Sequence, residues 1–222
     1  MAITTLNLRG INRSDTATSG QVITATSATA ADFQDASAGS WTKIKSQSLA
    51  ATSSSTTAMD FIHGTSDVVF DNTYNLYQVR VVNLLNDANE ADFLVRITDD
   101  GGTSFETTGY LSTITQGIYP TTSTPRNTTA ALLWAAAIKG AYVEYDKGQS
   151  GCTIWFNNPS DTAGRPNGRM IFNTVYNTAS GVPIITTSSG VFTTTGDFNG
   201  FRLTYNTGNI LYMKATLYGC NV

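Results

Sequence analysis

The chain has 222 residues, 16 Asp and Glu against 13 Lys and Arg, and a formal net charge of -3. Only 13% of its residues are charged, about half the usual share, which excludes a basic nucleic-acid binder working through bulk charge. Thr (36), Ser (19), Asn (17) and Gly (19) dominate while Glu numbers 3, so strand and turn formers outweigh the formers of long helices.

Residues 1–47 are small and polar, as in Ser14-Asp-Thr-Ala-Thr-Ser-Gly20 and Thr24-Ala-Thr-Ser-Ala-Thr-Ala-Ala31. Such a segment buries too little apolar surface to offset its conformational entropy, and it reads as an extended N-terminal arm that orders on a partner surface. Its sparse pegs are Ile3, Leu6, Leu8, Ile11, Val22, Ile23, Phe33 and Trp41. Arg9 and Arg13, flanked by Leu8 and Ile11, are expected to pair with acidic groups of that surface while the apolar neighbours enter pockets. Thr29 to Ala38 allows a short helical turn, capped by Thr29 and stopped by Gly39.

Residues 48–222 read as successive short strands. Ser53 to Ile62 is polar at first and ends on Met59, Phe61 and Ile62. Tyr74 to Val82 sets Tyr77, Val79 and Val81 against Asn75, Gln78 and Arg80. Ala91 to Thr98 sets Phe93, Val95 and Ile97 against Asp92, Leu94 and Arg96. Asp99-Asp-Gly-Gly102 supplies the positive-φ residues of a tight hairpin, with Thr103 to Leu111 as the returning strand. Thr128 to Lys139 is either a helix stopped by Gly140 or an apolar strand. Later strands are Ala141 to Asp146, Cys152 to Asn157, Arg169 to Asn177, Ile184 to Thr194, Gly200 to Asn206 and Ile210 to Tyr218. Strands at this spacing predict an all-β fold, a two-sheet antiparallel sandwich of jelly-roll type.

No apolar run is long enough to cross a bilayer, and Met1 to Arg9 lacks the basic and apolar regions of a signal peptide, so a soluble, unexported chain without a membrane partner is expected. Cys152 and Cys220 sit in strands, lack metal-ligand spacing, and are expected as free buried thiols. His63 is the one histidine, and no nucleophile elbow, phosphate loop or zinc-binding helix accompanies it. It reads as a turn residue; no catalytic residue, cofactor or metal is expected. Asp87, Glu90, Asp92, Asp99 and Asp100 match neither a calcium loop nor a fixed catalytic spacing, and read as solvated loop carboxylates. Trp155, between Ile154 and Phe156, is expected in the core. Tyr142, Tyr145 and the loop Thr162 to Arg169 are the candidates for exposed recognition of a glycan or a neighbouring subunit.

Thr98, Asp100, Gly102, Ser104 and Phe105 resemble an Asp box, the hairpin of sialidases and related β-proteins, whose Asp ties down the turn. More broadly, Leu6-Asn-Leu-Arg-Gly-Ile-Asn-Arg-Ser-Asp15, Ala31-Asp-Phe-Gln-Asp-Ala-Ser-Ala-Gly39, Thr98-Asp-Asp-Gly-Gly-Thr-Ser-Phe105, Phe156-Asn-Asn-Pro159 and Lys214-Ala-Thr-Leu-Tyr-Gly219 together resemble β-rich surface proteins of tailed bacteriophages, notably marine ones. The resemblance implies a virion structural component, made in the host cytoplasm, oligomeric and often trimeric, with an N-terminal anchoring arm and no catalytic residue. Its partners would be itself and other virion proteins such as capsid or tail adaptor. Head decoration is placed ahead of a tail fibre because the compact domain leaves no room for a long shaft. The apolar strands Phe201 to Tyr205 and Ile210 to Met213 are expected to expose surface for the homo-oligomer. A carbohydrate- or receptor-binding domain for a host surface glycan is the second reading, and a glycan-cleaving enzyme the third.

Overall fold

A computed structural model describes residues 21–25, 31–35, 41–50, 57–71, 73–88, 91–118, 126–138, 150–176 and 182–221. Its described elements are all strands. β1 (Gln21–Ala25) and β2 (Ala31–Asp35) form an antiparallel pair. Of the helical turn expected at 29–38, the described residues are extended instead: Ala31–Asp35 is a strand whose backbone groups bond across to β1 and not along a helix.

The remaining strands are β3 (Thr42–Ala50), β4 (Ala58–Ile62), β5 (Leu76–Asn86), β6 (Ala91–Thr98), β7 (Tyr110–Ile118), β8 (Arg126–Thr128), β9 (Leu133–Ile138), β10 (Gly151–Asn157), β11 (Asn167–Tyr176), β12 (Val182–Phe192), β13 (Gly200–Tyr205) and β14 (Ile210–Cys220). They build a large sheet in the order β3-β14-β5-β10-β11-β12-β7-β8 and a small one in the order β4-β13-β6-β9. Setting aside the hairpin-like insertions β7–β8 and β11–β12, the chain crosses between sheets at every step from β3 to β14 except from β6 to β9, which are neighbours in the small sheet. The first strand pairs with the last, β4 with β13, β5 with β10 and β6 with β9. That nested wiring is a jelly roll. The insertions widen one sheet beyond its partner.

Period-2 alternation explains which residues face inward. Tyr77, Val79 and Val81 of β5, Ile154 and Phe156 of β10, and Met213, Ala215 and Leu217 of β14 are buried from the large sheet. They meet Phe61 of β4, Phe93, Val95 and Ile97 of β6, Leu133 of β9, and Phe201 and Leu203 of β13 in one core. Aromatic rings dominate that contact. Phe201 stacks on Phe61 with centroids 4.9 Å apart and lies 5.1 Å from Phe156 across the sandwich. The inserted strands then curl round the β9 edge. Trp134 N donates to Ser188 Oγ at 3.1 Å, and Ile114 of β7 joins Leu94, Ala131 and Trp134 in a second small cluster.

Several expectations change here. Of the two readings of 128–139 the strand holds: among the described residues 128–138 there is no helix, and Leu133–Ile138 is β9, pairing with β6, with Leu133 and Trp134 buried on opposite faces as a two-sided core strand requires. Asp99 to Gly102 does turn, but no hairpin follows, because β7 joins the large sheet while β6 stays in the small one. A backbone bond from Glu106 N to Ile97 O, at 2.9 Å, ties the turn's return to β6. The expected oligomer surface on Phe201 to Tyr205 and Ile210 to Met213 is core instead: Phe201, Leu203, Ile210 and Met213 are buried within the chain's own sandwich. β3 runs through residue 47 and pairs with β14 from Thr42, so the sandwich takes in the last residues of the segment read as arm. The strand expected at Ala141 to Asp146 lies outside the described residues.

Candidate functional site: the outer face of the large sheet

The alternation that buries Ile154 and Phe156 turns Trp155 the other way. It is half-exposed on the outer face of the large sheet, and its expected place in the core is corrected. Strand register sets a transverse row through it: Tyr218 (β14), Gln78 (β5), Trp155 (β10), Arg169 (β11) and Ser189 (β12). Strand spacing puts Tyr218 and Trp155 about 10 Å apart. The next row holds Thr216, Arg80, Thr153, Ile171 and Thr187.

Both aromatics are dressed by arginine. The Arg169 guanidinium carbon stands 4.9 Å from the Trp155 ring centre and that of Arg80 5.4 Å from the Tyr218 ring centre. Arg80 Nε donates to Gln78 Oε1 at 2.9 Å, which fixes the guanidinium over the row. Such cation–π pairs each contribute roughly 0.5–1 kcal/mol at exposed positions and hold long side chains flat. Beside them lie exposed aliphatic residues, Val82 (48% exposed), Ile171 (40%) and Ile185 (58%). A Thr-rich, cation-bearing face with apolar inlays is suited to contact with another surface.

The carboxylates tell a different story. Asp100 accepts from Ser104 N at 3.0 Å, from Ser104 Oγ at 2.7 Å and from Thr98 Oγ1 at 2.7 Å. Those donors, the Ser104 backbone N–H first, hold its carboxyl down at about 2. Gly101 and Gly102 adopt positive φ to close this turn, so the likeness to an Asp box is borne out as a turn lock. Asp87 is likewise lowered, chiefly by Asn209 N at 2.6 Å. Asp92 accepts from Asn206 Nδ2 at 3.3 Å. The Asp87, Asp92 and Asp100 carboxylates are thus spent on hydrogen bonds that hold turns, while Glu90 lies outside the described residues. Among the described residues, no group of three His, Cys, Asp or Glu is placed to hold a metal. His63 Nδ1 accepts the Phe70 N–H at 3.0 Å, a turn contact.

The candidate anchors Leu6, Leu8, Arg9, Ile11 and Arg13, and the candidate glycan residues Tyr142 and Tyr145, lie outside the described residues. Phe33 falls in β2 opposite Ile23. Trp41, 39% exposed, sits immediately before β3. Of the loop 162–169, Arg169 alone joins the outer-face row. Cys152 and Cys220 are free and buried, and burial pushes the Cys152 thiol up. Trp155 and Arg169 were missed as partners because they face each other only through the β10–β11 register.

No family model and no curated protein matches the chain. Among solved structures, the CBM2 module of the evolved Dit of Lactobacillus casei BL23 phage J-1 overlaps with 74% of this chain and 69% of its own, at 13% identity and a TM-score of 0.21. A superposition that loose carries no inference about function.

Proposed function

We propose that this chain is a structural subunit of a tailed-phage particle, displayed on its surface with the residues before β3, 1–41, as the anchoring arm. Resemblance to phage surface proteins supplies the class. The observation that carries the division of labour is that every jelly-roll position is filled from Thr42 onward, by β3–β6, β9, β10, β13 and β14. The segment before it is thus left for attachment, and ordering it there costs roughly 1–2 kcal/mol per residue that a partner surface must offset. A head decoration role stands first, since the described strands from Thr42 onward close into a compact sandwich. Immunogold labelling of intact particles tests this: label over the head is expected, and label confined to the tail reverses the order.

A second reading, a tail-borne binding protein, is favoured by the arginine-dressed aromatic row of the outer face. Self-association, with a trimer implied by the resemblance, belongs to either reading. Light scattering on purified protein is expected to give an oligomer, and a lasting monomer contradicts it.

A further inference from the structure

None of the eight strands of the large sheet carries an Asp or Glu, in a chain where acids outnumber bases 16 to 13. Those strands hold Lys43, Lys45, Arg80, Arg126, Arg169 and Lys214. The described acids lie in β2, in the small sheet and in the loops, so the large sheet carries basic side chains and no acidic ones. On the outer face, Lys43, Arg80, Arg169 and Lys214 are exposed. The face is also dented beside Arg80. Gly151 has no side chain there, since a Cβ would stand 2.7 Å from Val81 O. A hollow of about 270 Å³ lies beside it, its lining including Arg80, Val82, Asn83, Gly151, Thr153 and Asn173.

This set combines a guanidinium, two amides, a hydroxyl and one apolar wall. Gln78 Oε1 accepts the hydrogen bond from Arg80 Nε, which leaves the Nη pair as the fork that a carboxylate fits bidentately. The hollow lies just below the usual range for drug-sized ligands, about 300–1,000 Å³, which suits a single ring. We infer that this hollow seats an acidic sugar unit of an extended, carboxylate-bearing polysaccharide, with the carboxylate on Arg80 and the sugar hydroxyls on Asn83, Thr153 and Asn173. Neighbouring units run along the face past Trp155 and Arg169.

Charge complementarity selects an anion, and the other anionic occupants fit less well. Nucleic acid gains affinity by neutralising many phosphates, and the exposed cations of this face are few and widely spaced. Face-to-face pairing with a second copy would set Arg80 and Arg169 against like charges. The inference stands on this face alone and is the same for head or tail.

Electrophoresis of the full chain through gels containing polygalacturonate, alginate or hyaluronan tests it, with dextran as the neutral polymer and polyglutamate and single-stranded DNA as non-sugar polyanions. Retardation by at least one acidic polysaccharide is expected, with none by dextran and weaker effects from polyglutamate and DNA. Arg80→Gln and Asn173→Ala are each expected to weaken it about tenfold or more. Lys45→Gln, on the opposite side of β3 beside Gln47 and Asp60, leaves it unchanged. Arg80 and Asn173 are exposed, so an unchanged melting curve certifies the fold of each variant. No retardation by any acidic polysaccharide, equal retardation by polyglutamate or DNA, or an Arg80→Gln protein that binds as well as the parent overturns the inference.

Discussion

Replacing Phe201 by Ala removes the ring on which the two sheets meet. Phe201 is fully buried, stacks on Phe61 at 4.9 Å, and has Phe156 at 5.1 Å and Phe70 at 5.7 Å. Its neighbours come from three directions: β4 alongside, β10 across the sandwich, and the loop carrying Phe70. Collapse into the space left behind is therefore resisted from each side. Phe→Ala in such a site costs about 3–5 kcal/mol, and losing three ring contacts places the expected loss toward the upper end. For a chain this long, about 4 kcal/mol corresponds to a fall in Tm on the order of 10 °C. Denaturant titration followed by near-UV circular dichroism and by tryptophan emission measures it. A loss below about 1 kcal/mol, with the denaturant slope unchanged, would refute the face-to-face packing of β13 on β10.

Asp100→Ala removes the lock of the 98–104 turn. The folded carboxyl sits at about 2, below its ordinary 3.8, so its contribution is present above about pH 4 and is lost as pH falls through about 2. Melting scans across that window are expected to show a steeper acid loss in the parent than in the variant; parallel curves contradict this. Asp60→Asn breaks a two-pronged ion pair with Arg202, 2.8 Å at each prong. Because side-chain exposure is 35% and 29%, the expected cost is about 1 kcal/mol and shrinks in high salt. Thiol reagents are expected to label neither Cys152 nor Cys220 in the native chain and both after denaturation; rapid native labelling of Cys152 contradicts its burial.

Where alternation was clean, the strand was legible to the residue: Ala91–Thr98 is β6, with Phe93, Val95 and Ile97 facing in as read. Trp155 was misplaced because Ile154-Trp-Phe156 looks like a continuous apolar run, and only the two-residue period separates its faces. The run 128–139 was ambiguous for the reverse reason, as β9 is buried on both sides and shows no polar stripe. The turn at 99–102 was correctly chemical and wrongly topological. Its glycines and Asp100 specify a reversal, but nothing local says that the chain then changes sheet. The pairing of β3 with β14, and of Trp155 with Arg169, is a matter of register between distant segments. The absence of acidic residues from the large sheet was visible in the sequence only once its strands were known to be neighbours.

Deletion of residues 2–40 probes the division between arm and sandwich in one step. The shortened chain, beginning beside Trp41 and keeping all of β3, is expected to melt as cooperatively as the full chain and to keep its oligomeric state. It is also expected to fail to cosediment with particles that the full chain decorates. A shortened chain that is unfolded by near-UV circular dichroism would make the deleted segment part of the domain, and one that still cosediments with unchanged affinity would transfer attachment to the sandwich itself.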